Sequence, residues 1–76
     1  MMTLPDLVGK VLGIDPVSVS DDMSPETVEN WDSFNGLLLV AELEKNYSVH
    51  FTIEEIIAVK NIGDIKAALR RHGIQI

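Results

Sequence analysis

Residues 31–47, WDSFNGLLLVAELEKNY, constrain the fold of this 76-residue chain most. They contain the capping residues that begin a helix, and that helix is apolar on two sides. Asp32 and Ser33 directly precede the apolar run, where the helix is expected to begin. Either side chain could accept a hydrogen bond from the free backbone N–H groups of the first turn. The pattern therefore places a serine hydroxyl near the positive end of a helix macrodipole, where a phosphate ester is favoured by about 0.3–1 kcal/mol.

Two apolar stripes run along the predicted helix when its residues are placed about 100° apart. The first stripe holds Leu39, Leu43 and Tyr47, with Val40 at its edge. The second stripe consists of Phe34, Leu37, Leu38 and Ala41. A surface helix needs only one apolar stripe to pack on its own domain. The second stripe therefore either packs on more of this small protein or binds a partner, and the pattern alone favours neither.

A first helix is predicted near the N-terminus. Thr3 is placed to cap it, with Pro5 in the first turn and Asp6 at the position that completes a capping box. Gly13 supplies the C-terminal stop. The apolar residues of this helix keep helical spacing: Leu4, Leu7, Val8, Val11 and Leu12.

A long connection follows over residues 15–32, because the Asp-Pro pair at 15–16 disfavours continuation of the helix. We expect Val17, Val19 and Met23 to anchor this connection on the core. The Ser-Pro-Glu sequence at 24–26 predicts one short helical turn within it. Connections of this length in small domains are often functional.

Two more helices are predicted after a turn at residues 48–51. Thr52 and Glu55 fit a capping box for a short third helix, and Asn61 can cap the last helix. The stripe of the last helix is Ile62, Ile65, Ala68 and Leu69. No stretch alternates like a strand. We therefore predict one all-α domain over residues 1–76, a small four-helix bundle with a short third helix and a long loop between helices one and two.

Residue types and spacing argue against several kinds of site. The chain has no cysteine, which excludes disulfides and thiolate metal sites, and its two histidines, His50 and His72, lack ligand-like spacing, so we expect no metal. A nucleophile site of Asp32, His50 and Ser33 is disfavoured, because adjacent aspartate and serine cannot place an imidazole between them. A calcium loop over residues 21–32 is rejected, because oxygen ligands and the required glycine are missing.

The negative charge is concentrated in the middle of the chain. Residues 15–55 hold ten carboxylates and one cation, Lys45, in a protein of net charge −6. This acidic region repels nucleic acid phosphates, so we expect no nucleic-acid partner. It also steers basic partner surfaces toward Ser33.

No targeting or membrane segment is predicted. Residues 1–14 contain Asp6 and Lys10 and no long apolar core, unlike a signal peptide. The apolar run at residues 37–41 is far too short to span a membrane. We expect a soluble, monomeric, cytoplasmic domain without membrane insertion.

The segment Asp32-Ser33-Phe34, between a long acidic loop and an apolar helix that ends LEKNY, resembles the acyl carrier proteins. The likeness runs over residues 4–71. It includes the Leu-Gly-Ile sequence at 12–14 that ends helix one, the capped third helix and the start of helix four. The tripeptide alone has low specificity, but in this helix order, length and charge the match is strong.

The resemblance implies that Ser33, beside Asp32, accepts 4′-phosphopantetheine from coenzyme A through a separate phosphopantetheinyl transferase. The terminal thiol of this arm then carries an acyl group as a thioester between acyl-loading and acyl-transfer enzymes of fatty-acid, polyketide or related biosynthesis. The protein itself is then not an enzyme, because the cofactor supplies the reactive group and the domain presents it.

The resemblance also implies a partner surface. Carriers of this family use the face that bears Phe34, Leu37 and Ala41 for partner enzymes, whereas Leu39, Leu43 and Tyr47 resemble core positions. We expect Leu38 to belong to the partner surface too. The charges expected to steer partners around it are those of Glu29, Asp32 and Glu42.

Some residues depart from the family pattern. Many fatty-acid carriers hold acidic residues where Asn35 and Leu38 stand, and Gly36 replaces a larger residue. Trp31 resembles specialised stand-alone carriers more than housekeeping fatty-acid carriers. The alternatives are a peptidyl or aminoacyl carrier domain, and an unmodified helical adaptor in which Ser33 is only a helix cap.

Overall fold

The computed structural model describes residues 2–76 and contains four α-helices within that range. They are α1 (Leu4–Leu12), α2 (Ser33–Tyr47), α3 (Ile53–Ala58) and α4 (Ile62–Arg71), with a 3₁₀ turn at Pro16–Ser18 between α1 and α2. The prediction of an all-α fold with a short third helix and a long first connection is confirmed.

Local sequence signals set the helix ends. Thr3 and Asp6 form the predicted capping box of α1, and Gly13 ends that helix at a φ of 71°, a left-handed conformation that glycine adopts without steric cost. Thr52 and Glu55 form the capping box of α3. Asn61 accepts a hydrogen bond from the Asp64 N–H at the start of α4.

The core is built from one face of each long helix. From α2 it takes Leu39 and Leu43, which are 1% and 2% exposed, so the prediction that the first stripe faces inward is confirmed. Val40 and Tyr47 pack at the edge of this core. The other helices contribute Leu4, Leu7, Val8, Leu12, Ile62, Ile65, Ala68 and Leu69.

The long connection is anchored differently from the prediction. Val19 and Met23 pack against the core as expected, but Val17 is 92% exposed and the prediction that it anchors the loop is wrong. Val17 lies within the 3₁₀ turn, whose start is capped by Asp15, and this turn directs its side chain to solvent. Buried Val28 and Trp31 act as anchors instead. The helical turn predicted at 24–26 forms, since the N–H of Val28 donates to the carbonyl of Ser24 at 2.9 Å.

The connection is also held to the ends of two helices. The first-turn N–H groups of Ile62 and Gly63 donate to the carbonyls of Met23 and Asp21 at 3.0 and 2.9 Å. The Asn30 amide donates to the carbonyl of Leu12 at 3.0 Å. These bonds satisfy backbone groups that the ends of α4 and α1 leave free, and they hold the loop in place directly before α2. None of the described helices is long and apolar enough to cross a bilayer.

Candidate functional site

The geometry at the start of α2 shows which of Asp32 and Ser33 caps the helix. Asp32 Oδ1 accepts a hydrogen bond from the Asn35 N–H at 2.8 Å, and Ser33 is the first helical residue. The Asn35 side chain in turn donates to the carbonyl of Asn30 at 2.7 Å, which ties the helix start to the loop. Asp32 is therefore the N-cap, and the serine hydroxyl is not needed for this role.

Ser33 is exposed at the N-terminus of α2, where the free backbone N–H groups carry partial positive charge. Its side chain is exposed, so another protein can reach the hydroxyl. The backbone N–H groups of Ser33 and Phe34 lie in the first turn of a 15-residue helix and have no intrahelical acceptor. A phosphodiester on this hydroxyl would place its negative charge beside these donors. The residues present therefore fit a phosphate-linked group.

A cleft of about 520 Å³ lies beside Ser33 and reaches between α2, α3 and α4. Ser33, Trp31 and Leu37 are at its α2 end, and its inner wall includes Leu43 and Ile65. Apart from Asp32, Ser33 and Glu55, the lining residues are apolar. The cleft can therefore accept an apolar chain that begins near the serine.

The α3 side of this cleft was not identified from the sequence. Ile56 and Val59 line it together with Glu55. Glu55 accepts a hydrogen bond from the Thr52 N–H at 2.9 Å, and its carboxylate lies 2.9 Å from His72 Nε2. The Thr52 N–H, and to a smaller degree His72, hold the pKa of Glu55 below its ordinary value against the opposing effect of desolvation. The helical spacing of the apolar residues predicted α3, but a local pattern does not show which larger cavity a short helix borders.

The second stripe of α2 lies on the surface. Phe34, Leu37 and Leu38 are 69%, 62% and 43% exposed, and Ala41 is exposed as well. Of the two readings of this stripe, packing within the domain is thus excluded for its most exposed members. Ile53 and Ile57 of α3 are also exposed, at 72% and 71%.

The three predicted steering carboxylates differ in their surroundings. Glu29 and Asp32 are exposed. Glu42 lies 3.4 Å from Lys10 Nζ and accepts a hydrogen bond from Asn46. Lys10 therefore partly offsets the charge of Glu42, and Lys10 and Lys45 line the same hollow as Leu38 and Ala41.

Each histidine is paired with a glutamate. His50 Nδ1 lies 3.4 Å from Glu44, near the end of α2 opposite Ser33. His72 is paired with Glu55 and packs edge-on against Phe51 at 5.2 Å between ring centroids. Among residues 2–76, no three potential ligands cluster in a way that could hold a metal ion.

Comparison with known proteins gives this geometry its context. Residues 3–69 match the family model described as the phosphopantetheine attachment site. The structure is similar to one assigned as an acyl carrier protein from Mycobacterium tuberculosis, with a TM-score of 0.82 and 16% identity over 91% of this chain and 92% of that chain. At this identity the likeness shows the fold alone. No curated protein matches in sequence.

The family match covers most of the chain. The start of α2, the exposed serine and the adjoining cleft of this protein suit a phosphopantetheine group attached to the serine. Domains of this family are carriers, not catalysts, and they bear covalently attached 4′-phosphopantetheine. The protein therefore belongs to the phosphopantetheine-binding carrier family and has the acyl-carrier fold.

Proposed function

We propose that this protein is an acyl carrier whose single attachment point is Ser33. The observation that carries the proposal is the division of roles at the start of α2, where Asp32 caps the helix and Ser33 is exposed beside it. A serine that is free of a capping role can be esterified without loss of the bond that holds the helix start.

The chain's part in loading is to present an oxygen. The Ser33 hydroxyl gives up its proton and forms the new bond to phosphorus as the pyrophosphate of coenzyme A is cleaved and adenosine 3′,5′-bisphosphate leaves. Among the described residues, no histidine or lysine lines the cleft beside Ser33 to take the proton. A phosphopantetheinyl transferase supplies that base, and the first-turn N–H groups of α2 stabilise the resulting phosphodiester. When bound, the arm supplies a thiol that holds the cargo as a thioester.

The cleft favours an acyl cargo over a peptidyl or aminoacyl cargo. Its inner wall is formed by apolar side chains of three helices, among them Leu43, Ile65 and Ala68. An acyl chain gains from leaving water there, by about 0.8 kcal/mol per buried methylene. A charged amino group would lose its hydration along this wall, and the only carboxylates of the cleft are the helix cap Asp32 and Glu55, which is already bound to the Thr52 N–H and paired with His72.

The partner surface is proposed to be the second stripe of α2, Phe34, Leu37, Leu38 and Ala41. Its exposed apolar side chains start directly at Ser33, so an enzyme docked there has the serine within its contact area. Glu29 and Asp32 add negative charge, with Glu42 contributing less because of Lys10. The partners are the transferase and acyl-loading and acyl-transfer enzymes.

The surface at the start of α2 supports a proposal for the class of biosynthetic pathway. Asn35 and Leu38 make the start of α2 less acidic and more apolar than in many fatty-acid carriers, which favours partners with apolar docking pockets. We therefore propose that the protein acts in specialised fatty-acid, polyketide or related biosynthesis, and we propose separately that it is a cytoplasmic monomer.

Intact mass spectrometry tests the attachment. The apo protein is incubated with coenzyme A and a broad-specificity transferase, and wild type should gain one phosphopantetheinyl group. Ser33→Ala should gain none, whereas Ser18→Ala, which removes an exposed serine of the 3₁₀ turn, should load like wild type. Loading of Ser33→Ala would disprove the site. Absence of loading in wild type would favour the unmodified adaptor.

A further inference from the structure

Trp31 occupies an unusual position beside the attachment region. Its side chain is only 7% exposed, yet it lines the cleft next to Asp32 and Ser33. The indole N–H is a hydrogen-bond donor with no acceptor function, and buried tryptophans usually place this donor on a partner. An indole at this position therefore calls for an acceptor.

That acceptor is missing from the described part of the chain. The hydrogen bonds around Trp31 join Asn30 to Leu12, and Asn35 to Asp32 and Asn30; none in residues 2–76 uses the indole nitrogen. No side-chain nitrogen or oxygen of these residues is both fully enclosed and unpaired. The indole nitrogen is therefore not sealed inside the core, and both Trp31 and Gly36, whose Cβ position faces this nitrogen, line the cleft.

Gly36 leaves this nitrogen open. A Cβ added to Gly36 would lie 3.5 Å from Trp31 Nε1 and 3.8 Å from Cδ1, which is ordinary van der Waals contact. An alanine would thus fit, and it would favour the helix more than glycine does. Packing within the domain gives no reason for a glycine here. Its effect is an opening over the indole nitrogen, one helical turn from Ser33 and on the same side of α2.

We propose that the Trp31 indole N–H donates a hydrogen bond to an amide carbonyl of the 4′-phosphopantetheine arm, which lies in the opening at Gly36. The proposal rests on attachment at Ser33. An amide carbonyl suits this position better than the phosphate, because the cleft wall is apolar and a phosphate would lose its hydration there. The phosphate remains at the exposed start of α2, next to the first-turn N–H groups. Trp31 and Gly36 thus position the arm toward the cleft.

The chain offers a direct probe, because Trp31 is its only tryptophan. In a ¹H–¹⁵N correlation spectrum its indole N–H gives one resonance, which can be followed from apo to holo protein while mass spectrometry reports loading. We expect the indole proton to move downfield on loading, to exchange more slowly with water, and to show nuclear Overhauser contacts to protons of the arm.

Two variants test the opening itself. Gly36→Ala places a methyl over the nitrogen, so it should still be loaded but should lose the contacts to the arm and most of the downfield shift. Lys45→Ala, an exposed residue near the far end of α2, is the matched control and should respond like wild type.

The outcomes separate this proposal from the attachment at Ser33. A loaded wild type whose indole resonance does not change would overturn the role of Trp31 and leave the attachment intact. Equal responses of Gly36→Ala and wild type would overturn the role of the opening. If mass spectrometry shows no loading at Ser33, both proposals fail together.

Discussion

At the scale of single residues, the start of α2 separates two neighbours by function. Asp32 holds the helix through the Asn35 N–H at 2.8 Å, whereas Ser33 is exposed as the first helical residue. The sequence left both residues as candidate caps, because aspartate and serine are nearly equal in that role. Only the backbone geometry of the loop, held by buried Trp31, decides which of them precedes the helix.

This separation predicts different effects on stability. Asp32→Ala should lower the free energy of unfolding by about 0.5–2 kcal/mol, because the cap is lost. Ser33→Ala should change it by no more than about 0.5 kcal/mol, as expected for an exposed residue. Urea denaturation of both variants measures the difference. A loss for Ser33→Ala as large as that for Asp32→Ala would mean that the serine shares the capping role.

A second residue-scale prediction concerns Glu55. Because the Thr52 N–H and His72 lower its pKa in the folded protein, its charge stabilises the fold above the pKa of the unfolded chain. That contribution disappears as the pH falls through the unfolded and then the folded pKa. Glu55→Gln, which keeps the capping box, should be less stable than wild type at pH 7 and equal to it near pH 2.

Melting curves across this pH range test the prediction. The matched control is Glu54→Gln, because it removes one negative charge from the neighbouring exposed position of α3. If the two variants differ from wild type by the same amount at every pH, the contacts of Glu55 contribute nothing specific.

At the scale of helices, α2 carries two apolar stripes that its sequence cannot rank by burial. Both have helical spacing, and burial depends on where α1 and α4 pack. In the fold, Leu39 and Leu43 join the core while Phe34 and Leu37 stay exposed. Helix ends were predictable because capping depends on residues three apart. The role of Val17 was not predictable, because an isolated valine in a loop does not reveal the direction that a 3₁₀ turn gives it.

The difference between the stripes predicts a stability contrast on one helix. Leu43→Ala should lower the free energy of unfolding by about 2–5 kcal/mol, because it leaves a cavity in a packed core. Leu37→Ala, at 62% exposure, should lower it by less than about 1 kcal/mol. Thermal and urea unfolding measure both. A Leu43→Ala variant as stable as wild type would show that this face of α2 does not form the core.

Substitution of Gly36 on the same helix is expected to increase stability rather than lower it. Since a Cβ there would meet Trp31 at no less than 3.5 Å, Gly36→Ala should raise the free energy of unfolding by about 0.5–1 kcal/mol. Urea denaturation checks this value. A destabilised variant would show that the space beside Trp31 is needed by the fold itself.

At the scale of the whole molecule, charge and apolar surface occur together at one end of α2. The chain has a net charge of −6, and exposed Glu29 and Asp32 lie in sequence just before the second stripe. Under the proposed function, long-range attraction would bring a basic partner to this end, and the exposed leucines and phenylalanine would provide the contact area. The charge pattern was readable from the sequence, whereas the Lys10–Glu42 pair joins residues too far apart in the chain to be predicted.

Leu38 tests whether this surface binds partners. It is 43% exposed, so Leu38→Glu should cost about 1 kcal/mol in the free protein, part of it from repulsion with Glu42 one turn away. In a complex the new carboxylate would lose its hydration against the apolar pocket of the partner, with only Lys10 and Lys45 of this chain lining the same hollow. We therefore expect kcat/KM for loading by the transferase to fall at least about tenfold, whereas Leu38→Ala should lose less. Thermal unfolding and loading rates of both variants decide the matter. A stability loss near that of Leu43→Ala would make Leu38 a core residue, and an unchanged loading rate would mean that the transferase docks elsewhere.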